Sequence, residues 1–240
     1  MGEENETVIG VVHDLREQGY GHVWGFTDRD FSHTNRANWL NPQAGIEVYK
    51  PTAFELENYL LDWLVLAGCG ENMKRLHRTA DDIKDRAENY AQSMVWWMAC
   101  CKVLADYWER LVGMFPGYPK ISQIRNLDEA RDHILNDRNW FISFPTQAAH
   151  IQDTDKVNGD LTNVYDVYRN DLQSGVWVQS FSGKEIFRRV RGYLFNRRYA
   201  SDEEMDVDLA KSIADWQVLN NAIPQELLEL KSVIRQRVGI

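Results

Sequence analysis

The chain has 240 residues, of which 44% are hydrophobic and 26% charged, with 15 Gly and 6 Pro. That length buries a core in one domain, or in one domain carrying an insertion, and the composition excludes a disordered chain, a collagen and a low-complexity linker. Lys and Arg number 27 against 36 Asp and Glu, a net charge of −9, which argues against a protein that coats DNA through bulk positive charge and leaves room for a local basic groove.

The acidic N-terminus, MGEENE, is not a signal peptide. Thr7 to Glu17 reads as a short helix, or a helix preceded by a strand, with Val8, Val11, Val12 and Leu15 at helical spacing. Gly19 and Gly21 punctuate it. His22 to Thr27 (HVWGFT) is a short apolar run with the look of a buried parallel strand, and it leads directly into Asp28-Arg29-Asp30. Gly45 to Tyr49 is a second strand candidate. Thr52-Ala-Phe-Glu55 has the form of a capping box and predicts a helix through Leu64, ending near Gly68. Strand, loop, strand and helix in close succession predict an α/β frame.

The middle of the chain changes character. From Asn72 to Met114 a long helical stretch is polar first and then rich in large apolar groups, Trp96, Trp97, Tyr107 and Trp108 among them. Its longest apolar run, Met94 to Cys101, is far below the roughly 20 residues that span a bilayer, so no membrane is expected. Further helices are predicted over Leu127–Leu135 and Leu161–Leu172, the latter with Asp160 as its N-cap. Val176 to Phe181 (VWVQSF) reads as a strand. Ser182-Gly183-Lys184-Glu185 opens a helix, Asp202 to Leu219 forms another, and Pro224 at the first helical position starts the last. The expected organisation is therefore an α/β core split into residues 1–70 and 176–240 by a helical insertion at 71–175. Cys69, Cys100 and Cys101, with no CxxC, exclude a disulfide framework and a zinc-cysteine site and suit a reducing cytoplasm.

Three DxD pairs occur, and chance placement of the aspartates gives about two, so position has to decide among them. Asp153/Asp155 fall in a polar stretch and Asp206/Asp208 in a helix-like one. Only Asp28/Asp30 follow an apolar strand, and ligands in α/β sheets gather at the carboxyl ends of strands. Two carboxylates there repel each other unless a cation lies between them, which suits Mg²⁺; a solvated turn is the plainer alternative. Glu55 is explained by the capping box. Glu57 is either a further ligand or a surface carboxylate favoured by a helix N-terminus. The Gly183-Lys184 pair at a helix start could present N–H groups and an ammonium to a phosphate, with an ordinary Ser182 N-cap as the alternative. Downstream, Lys184, Arg188, Arg189, Arg191, Arg197 and Arg198 stand against a single acid, Glu185, with aromatic residues interleaved. Such a helix suits a nucleic-acid backbone or, equally, an acidic protein face.

The strings VWGFTDRDF, PTAFELENYLLD and SFSGKEIFRRV, in that order, resemble the Toprim domain of OLD-type nucleases. They are most similar to the small Toprim effectors encoded beside ABC-type ATPases in bacterial anti-phage systems, of which the PARIS effector is one. The terminal IPQELLELKSVI resembles their ends, and the match covers about 7–68 and 176–238. The resemblance implies a Rossmann-like parallel sheet and a nuclease that hydrolyses DNA or RNA with Mg²⁺ or Mn²⁺. Asp28, Asp30 and Glu57 would hold the metal and Lys184 would steady the phosphate; an ABC-type ATPase would be the partner, with a homo-oligomer as a further option. It also implies a preceding strand ending in Glu, which is not expected among Glu3, Glu4 and Glu6 because none follows an apolar strand. Two other classes stay open. One is a catalytically silent interaction module docking through its aromatic residues. The other is a haloacid-dehalogenase-type phosphatase in which Asp28 is the nucleophile and Asp30 the acid/base, with Ser32 where Thr or Val is usual.

Overall fold

In the computed structural model, which describes residues 2–29, 31, 39–40, 48–73, 76–108, 117–136, 153–194 and 201–239, the chain is mostly helical around a small sheet. Helix α1 (Gly2–Glu17) starts earlier than its apolar spacing required. Strands β1 (Gly25–Phe26), β2 (Trp39–Leu40) and β3 (Val48–Tyr49) form one sheet in the order β1-β3-β2. β1 and β3 are parallel, with Gly25 opposite Val48, whereas β2 runs antiparallel to β3. The sheet is thus mixed and very short, and its α/β character rests on the one parallel pair. Helix α1 lies close on it: a Cβ at Gly25 would fall 2.7 Å from Val8 Cγ1 and 2.9 Å from Val48 Cγ2. Gly25 is what admits the Val8–Val12–Val48 contact.

After β3 the chain does not form the single helix expected from Thr52. A 3-10 turn spans Leu56–Leu60, and helix α2 (Trp63–Gly68) starts separately, with Asp62 accepting from the Leu64 and Val65 N–H groups at 3.0 and 3.1 Å. The Thr52 hydroxyl and N–H are taken by Glu226 instead of a helix start. The stretch over 72–114, read as one long helix or two, contains two helices among the described residues. Helix α3 (Gly70–Met73) is one turn long, and helix α4 (Ala80–Trp108) follows. Between them the fully buried Asn72 amide donates to Ala67 O and Arg78 O and accepts from Arg78 N–H, drawing the chain into a turn where His77 has φ +50°.

Helices α5 (Leu127–Asn136) and α6 (Thr154–Ser174) pack on α4 and on each other. The N-cap of α6 is Asp153, not Asp160: Asp153 accepts from the Asp155 and Lys156 N–H groups. Asp160 lies inside the helix and accepts from the Tyr107 hydroxyl at 2.6 Å. Gly175, at φ +79°, ends α6. The next residues, expected as a strand, form the short helix α7 (Trp177–Ser180). Trp177 and Phe181, four apart, are both buried while Gln179 is exposed, so the period is that of a helix. Helix α8 (Gly183–Leu194) packs on α4, α9 (Asp202–Leu219) on α2 and α8, and α10 (Gln225–Val238) follows with Pro224 one position outside it.

Helix α4 is the axis of the molecule. Its first half buries one stripe, Ile83, Ala87 and Ala91, and from Met94 to Ala105 it is covered almost all round. The main core runs from Phe31 through Val65, Met98, Leu161 and Phe187 to Ile213, crossing both expected boundaries at 70 and 175, and a small separate cluster of Val12 and Val48 lies between α1 and the sheet. No helix among the described residues is long and apolar enough to cross a membrane. Trp177, 1% exposed and stacked on Trp63 at 5.7 Å, joins α7 to α2. Trp177→Ala should lower stability by about 3–5 kcal/mol, read as a shift of the urea midpoint at constant slope.

Candidate functional site

The parallel pair delivers Asp28 to its carboxyl end. Thr27 N–H extends the pairing to Tyr49 O at 3.1 Å, and the chain then leaves the sheet. Asp28 Oδ1 accepts the Leu56 N–H at 3.0 Å, so the carboxylate holds the first residue of the 3-10 turn that carries Glu57. The neighbouring residues fasten the same crossing. Arg29 N–H donates to Phe54 O, and Arg29 Nε donates to Pro51 O at 2.6 Å. Phe31 is buried among Phe54, Tyr118 and Trp97, tying the loop after β1 to α4. Lys50, buried at the carboxyl end of β3, is a cation that sequence reasoning passed over. Asp30 lies outside the described residues.

A second crossing joins this turn to α8. Phe54 N–H donates to Gln179 O at 2.8 Å. The buried Asn58 amide donates to Val178 O and Phe181 O and accepts from Glu55 N–H at 2.7 Å. Gly183 lies directly against it: a Cβ there would meet Asn58 Oδ1 at 2.5 Å and Asn58 Cγ and N at 2.6 Å. Two of the motifs that carried the resemblance, FELENYLL and SFSGK, are therefore in contact.

The start of α8 is already occupied by an anion. Glu55 accepts from the Ser182 hydroxyl at 3.0 and 3.2 Å and from Lys184 N–H at 2.7 Å. Ser182 Oγ also accepts from Glu185 N–H, as an N-cap does. The expectation that these N–H groups greet a phosphate is corrected: a carboxylate satisfies the helix end, which is where it is electrostatically favoured. Glu55 caps α8, 129 residues away, and not its own helix. What remains for a ligand is the exposed Lys184 side chain, which makes no contact among the described residues.

The expected basic helix divides. Lys184, Arg188 and Arg189 are exposed. Arg191 is corrected as a nucleic-acid contact: it is 5% exposed and ion-paired with Asp206 of α9, because its position on α8 faces the core beside Phe187 and Leu194. Arg197 and Arg198 lie outside the described residues.

For a divalent cation, Asp28 and Glu57 offer hard oxygen donors with no thiol or imidazole, the chemistry that suits Mg²⁺. Glu57 is half-buried and makes no hydrogen bond or ion pair among the described residues, so its carboxylate fits a cation ligand. Among the described residues, however, only His13, Asp14 and Glu17 bring three ligand atoms within 4.8 Å of one another. These are successive polar residues on the outer side of α1, paired across 3.4–3.5 Å as surface groups are.

Glu226, at the start of α10, is a hub that sequence reasoning missed. It accepts from the Tyr49 hydroxyl at 2.6 Å, from Thr52 N–H and Oγ1–H, and from the Tyr59 hydroxyl. Burial, followed by the Glu226 carboxylate, pushes the Tyr59 hydroxyl well above the ordinary tyrosine value. Burial works to raise Glu226 too, but the donors from Tyr49, Tyr59 and Thr52 together hold it below the usual carboxylate range. The hub lines a cleft of about 560 Å³ between the 3-10 turn and α10. Comparison of the chain with protein-family models, with curated proteins and with solved structures finds no match.

Two predictions follow from these contacts. Gly183→Ala must displace Asn58 and should cost about 1–3 kcal/mol in urea denaturation, because the obstacle is buried and includes backbone. Since the folded value of Glu226 lies below its unfolded one, its stabilisation is complete above roughly pH 4.3 and is lost as pH falls through the lower folded value. Unfolding free energies of wild type and Glu226→Gln should therefore differ at pH 7, and the difference should shrink as pH falls below the usual carboxylate range.

Proposed function

We propose that the chain is a Toprim-type, divalent-metal-dependent nuclease that hydrolyses phosphodiester bonds of DNA or RNA, working as the effector of an ABC-type ATPase in anti-phage defence. One observation carries this reading: three separated segments converge at the carboxyl end of the parallel pair. Asp28 holds the turn that bears Glu57, and that turn is locked through Asn58 and Glu55 to the helix start that bears Lys184. The order of the segments along the chain is the order in which the family resemblance has them.

In this reading Asp28 and Glu57, with Asp30, are the ligands of Mg²⁺ or Mn²⁺. Bound there, the cation would polarise the phosphate, lower the pKa of a water and stabilise the leaving oxygen. The chain's own part is positioning. Leu56 N–H fixes the Asp28 carboxylate in one orientation, and the capped start of α8 fixes the backbone from which the Lys184 ammonium reaches a phosphate. Burial of Phe31 limits how far the loop after Asp28 can shift.

A second reading, a docking module without catalysis, has one observation in its favour. Val218 and Leu219 are 62% and 81% exposed at the end of α9, with Leu228 at 40% on α10. The large aromatic residues do not support it as strongly, since Trp97 and Trp177 are spent in the core.

Asp28→Asn keeps an oxygen for the Leu56 N–H and removes the charge. The metal reading expects wild type to bind Mn²⁺ in calorimetry and the variant to lose that binding with an unchanged thermal melt. Equal Mn²⁺ binding by both proteins would overturn it.

A further inference from the structure

Helices α4 and α8 meet along a seam where arginines lie on tyrosine rings. The Arg78 guanidinium sits 4.4 Å from the centroid of the Tyr193 ring, and Arg86 sits 5.6 Å from the same ring. One turn along, Arg189 lies 5.4 Å from the Tyr90 centroid. Both rings are half-buried against the core, so they are fixed supports. Among the described residues none of these three guanidiniums makes an ion pair, and Arg78 Nε is a buried donor with no acceptor. Of the carboxylates nearby, Glu185 pairs with Arg188 at 2.9 Å, while Asp82 accepts the Thr79 N–H and also feels the Arg78 charge. The exposed Lys184 and Arg188 continue the cationic line toward the start of α8.

A guanidinium laid on an aromatic ring gains cation–π stabilisation and loses rotational freedom, while its N–H edge stays available for two parallel bonds to a pair of anionic oxygens. Planar cations alternating with aromatic planes fit a flexible phosphodiester strand better than a carboxylate-bearing helix, because phosphates and bases can both be engaged. The concentration of cations is also against the charge of the chain as a whole, −9.

We infer that the α4–α8 seam, through Arg78, Arg86, Arg189, Tyr90 and Tyr193, is a binding surface for single-stranded nucleic acid that leads toward Lys184. This deepens the nuclease reading and rests on it for the choice of ligand. Three of the five residues, Arg78, Arg86 and Tyr90, lie outside the basic run that the sequence marks and come from the polar half of the long helical stretch.

The test is fluorescence anisotropy of labelled 20-mers of deoxythymidine and uridine in chelator, so that no metal chemistry enters. Wild type should bind one or both. Arg78→Ala/Arg86→Ala should weaken binding at least about tenfold and lower the salt slope by about 1.4, two lost phosphate contacts at roughly 0.7 each. Arg235→Ala/Arg237→Ala on α10, an equal change of charge, should leave binding within about twofold. Should the double variant lose its helical melt, Arg86→Ala alone, at an exposed side chain, serves with an expected loss of about threefold or more. Absence of wild-type binding at 50 mM salt, equal loss in the α10 variant, or equal affinity for a poly-glutamate peptide would overturn the inference. The failure of the metal reading is separable: strand binding that persists in Asp28→Asn keeps the seam even if neither protein binds Mn²⁺.

Discussion

The side-chain amide of Asn58 is the constraint on which the rest of the site depends. It is 5% exposed and makes three hydrogen bonds, two to carbonyls just before α8 and one to the N–H of Glu55. A buried amide left with one bond unmade costs about 1–3 kcal/mol, so the arrangement holds as a set. Its consequences spread outward. The carbonyl end of α7 is fixed, Gly183 is pressed against the amide with no room for a methyl group, and Glu55 is turned toward the start of α8. Asp28 then meets the same turn from the sheet side. Remove the amide, and the turn after β3 and the α7–α8 junction lose their common anchor.

Charge is distributed by the same logic of local satisfaction. The acidic excess of the chain is not a diffuse coat. Glu55 neutralises a helix start, Glu226 gathers four donors at one carboxylate, Asp206 balances a buried guanidinium, and Asp160 answers a tyrosine hydroxyl. Three arginines that make no ion pair among the described residues, Arg78, Arg86 and Arg189, lie on tyrosine rings where α4 and α8 meet. An acidic protein can therefore carry a cationic face without any excess of basic residues.

Much of this order was legible in the sequence wherever it is local. Helix α9 falls on Asp202–Leu219 as read, α4 is polar first and buried later, and the strand before Asp28 and the helix after Ser182 are where apolar runs and turn chemistry put them. The errors share a cause. Thr52-x-x-Glu55 reads as a capping box because local pattern carries no knowledge of Glu226, 174 residues away, which claims Thr52. VWVQSF has β-prone residues, but Trp177 and Phe181 both seek the pocket made by Trp63 and Tyr168, and that spacing needs a helix. Arg191 reads as one more surface cation until α9 brings Asp206 against it.

The segments that build the site are distant in sequence, with separations of 120 to 129 residues between Asn58 or Glu55 and the α7–α8 junction. The helical layers between them pack through nearer neighbours, α4 on α5 and α5 on α6. Closing a long loop costs entropy that is recovered only when both ends have something rigid to close on. The carboxylates and the lysine therefore come together late, after the helices have formed the body that brings them within reach. During synthesis, a chain released up to α6 already holds Asp28 and the 3-10 turn with Glu57, but not the α7–α8 junction to which Asn58 and Glu55 bond. The arrangement around Asn58 is therefore complete only once the last third of the chain has been added.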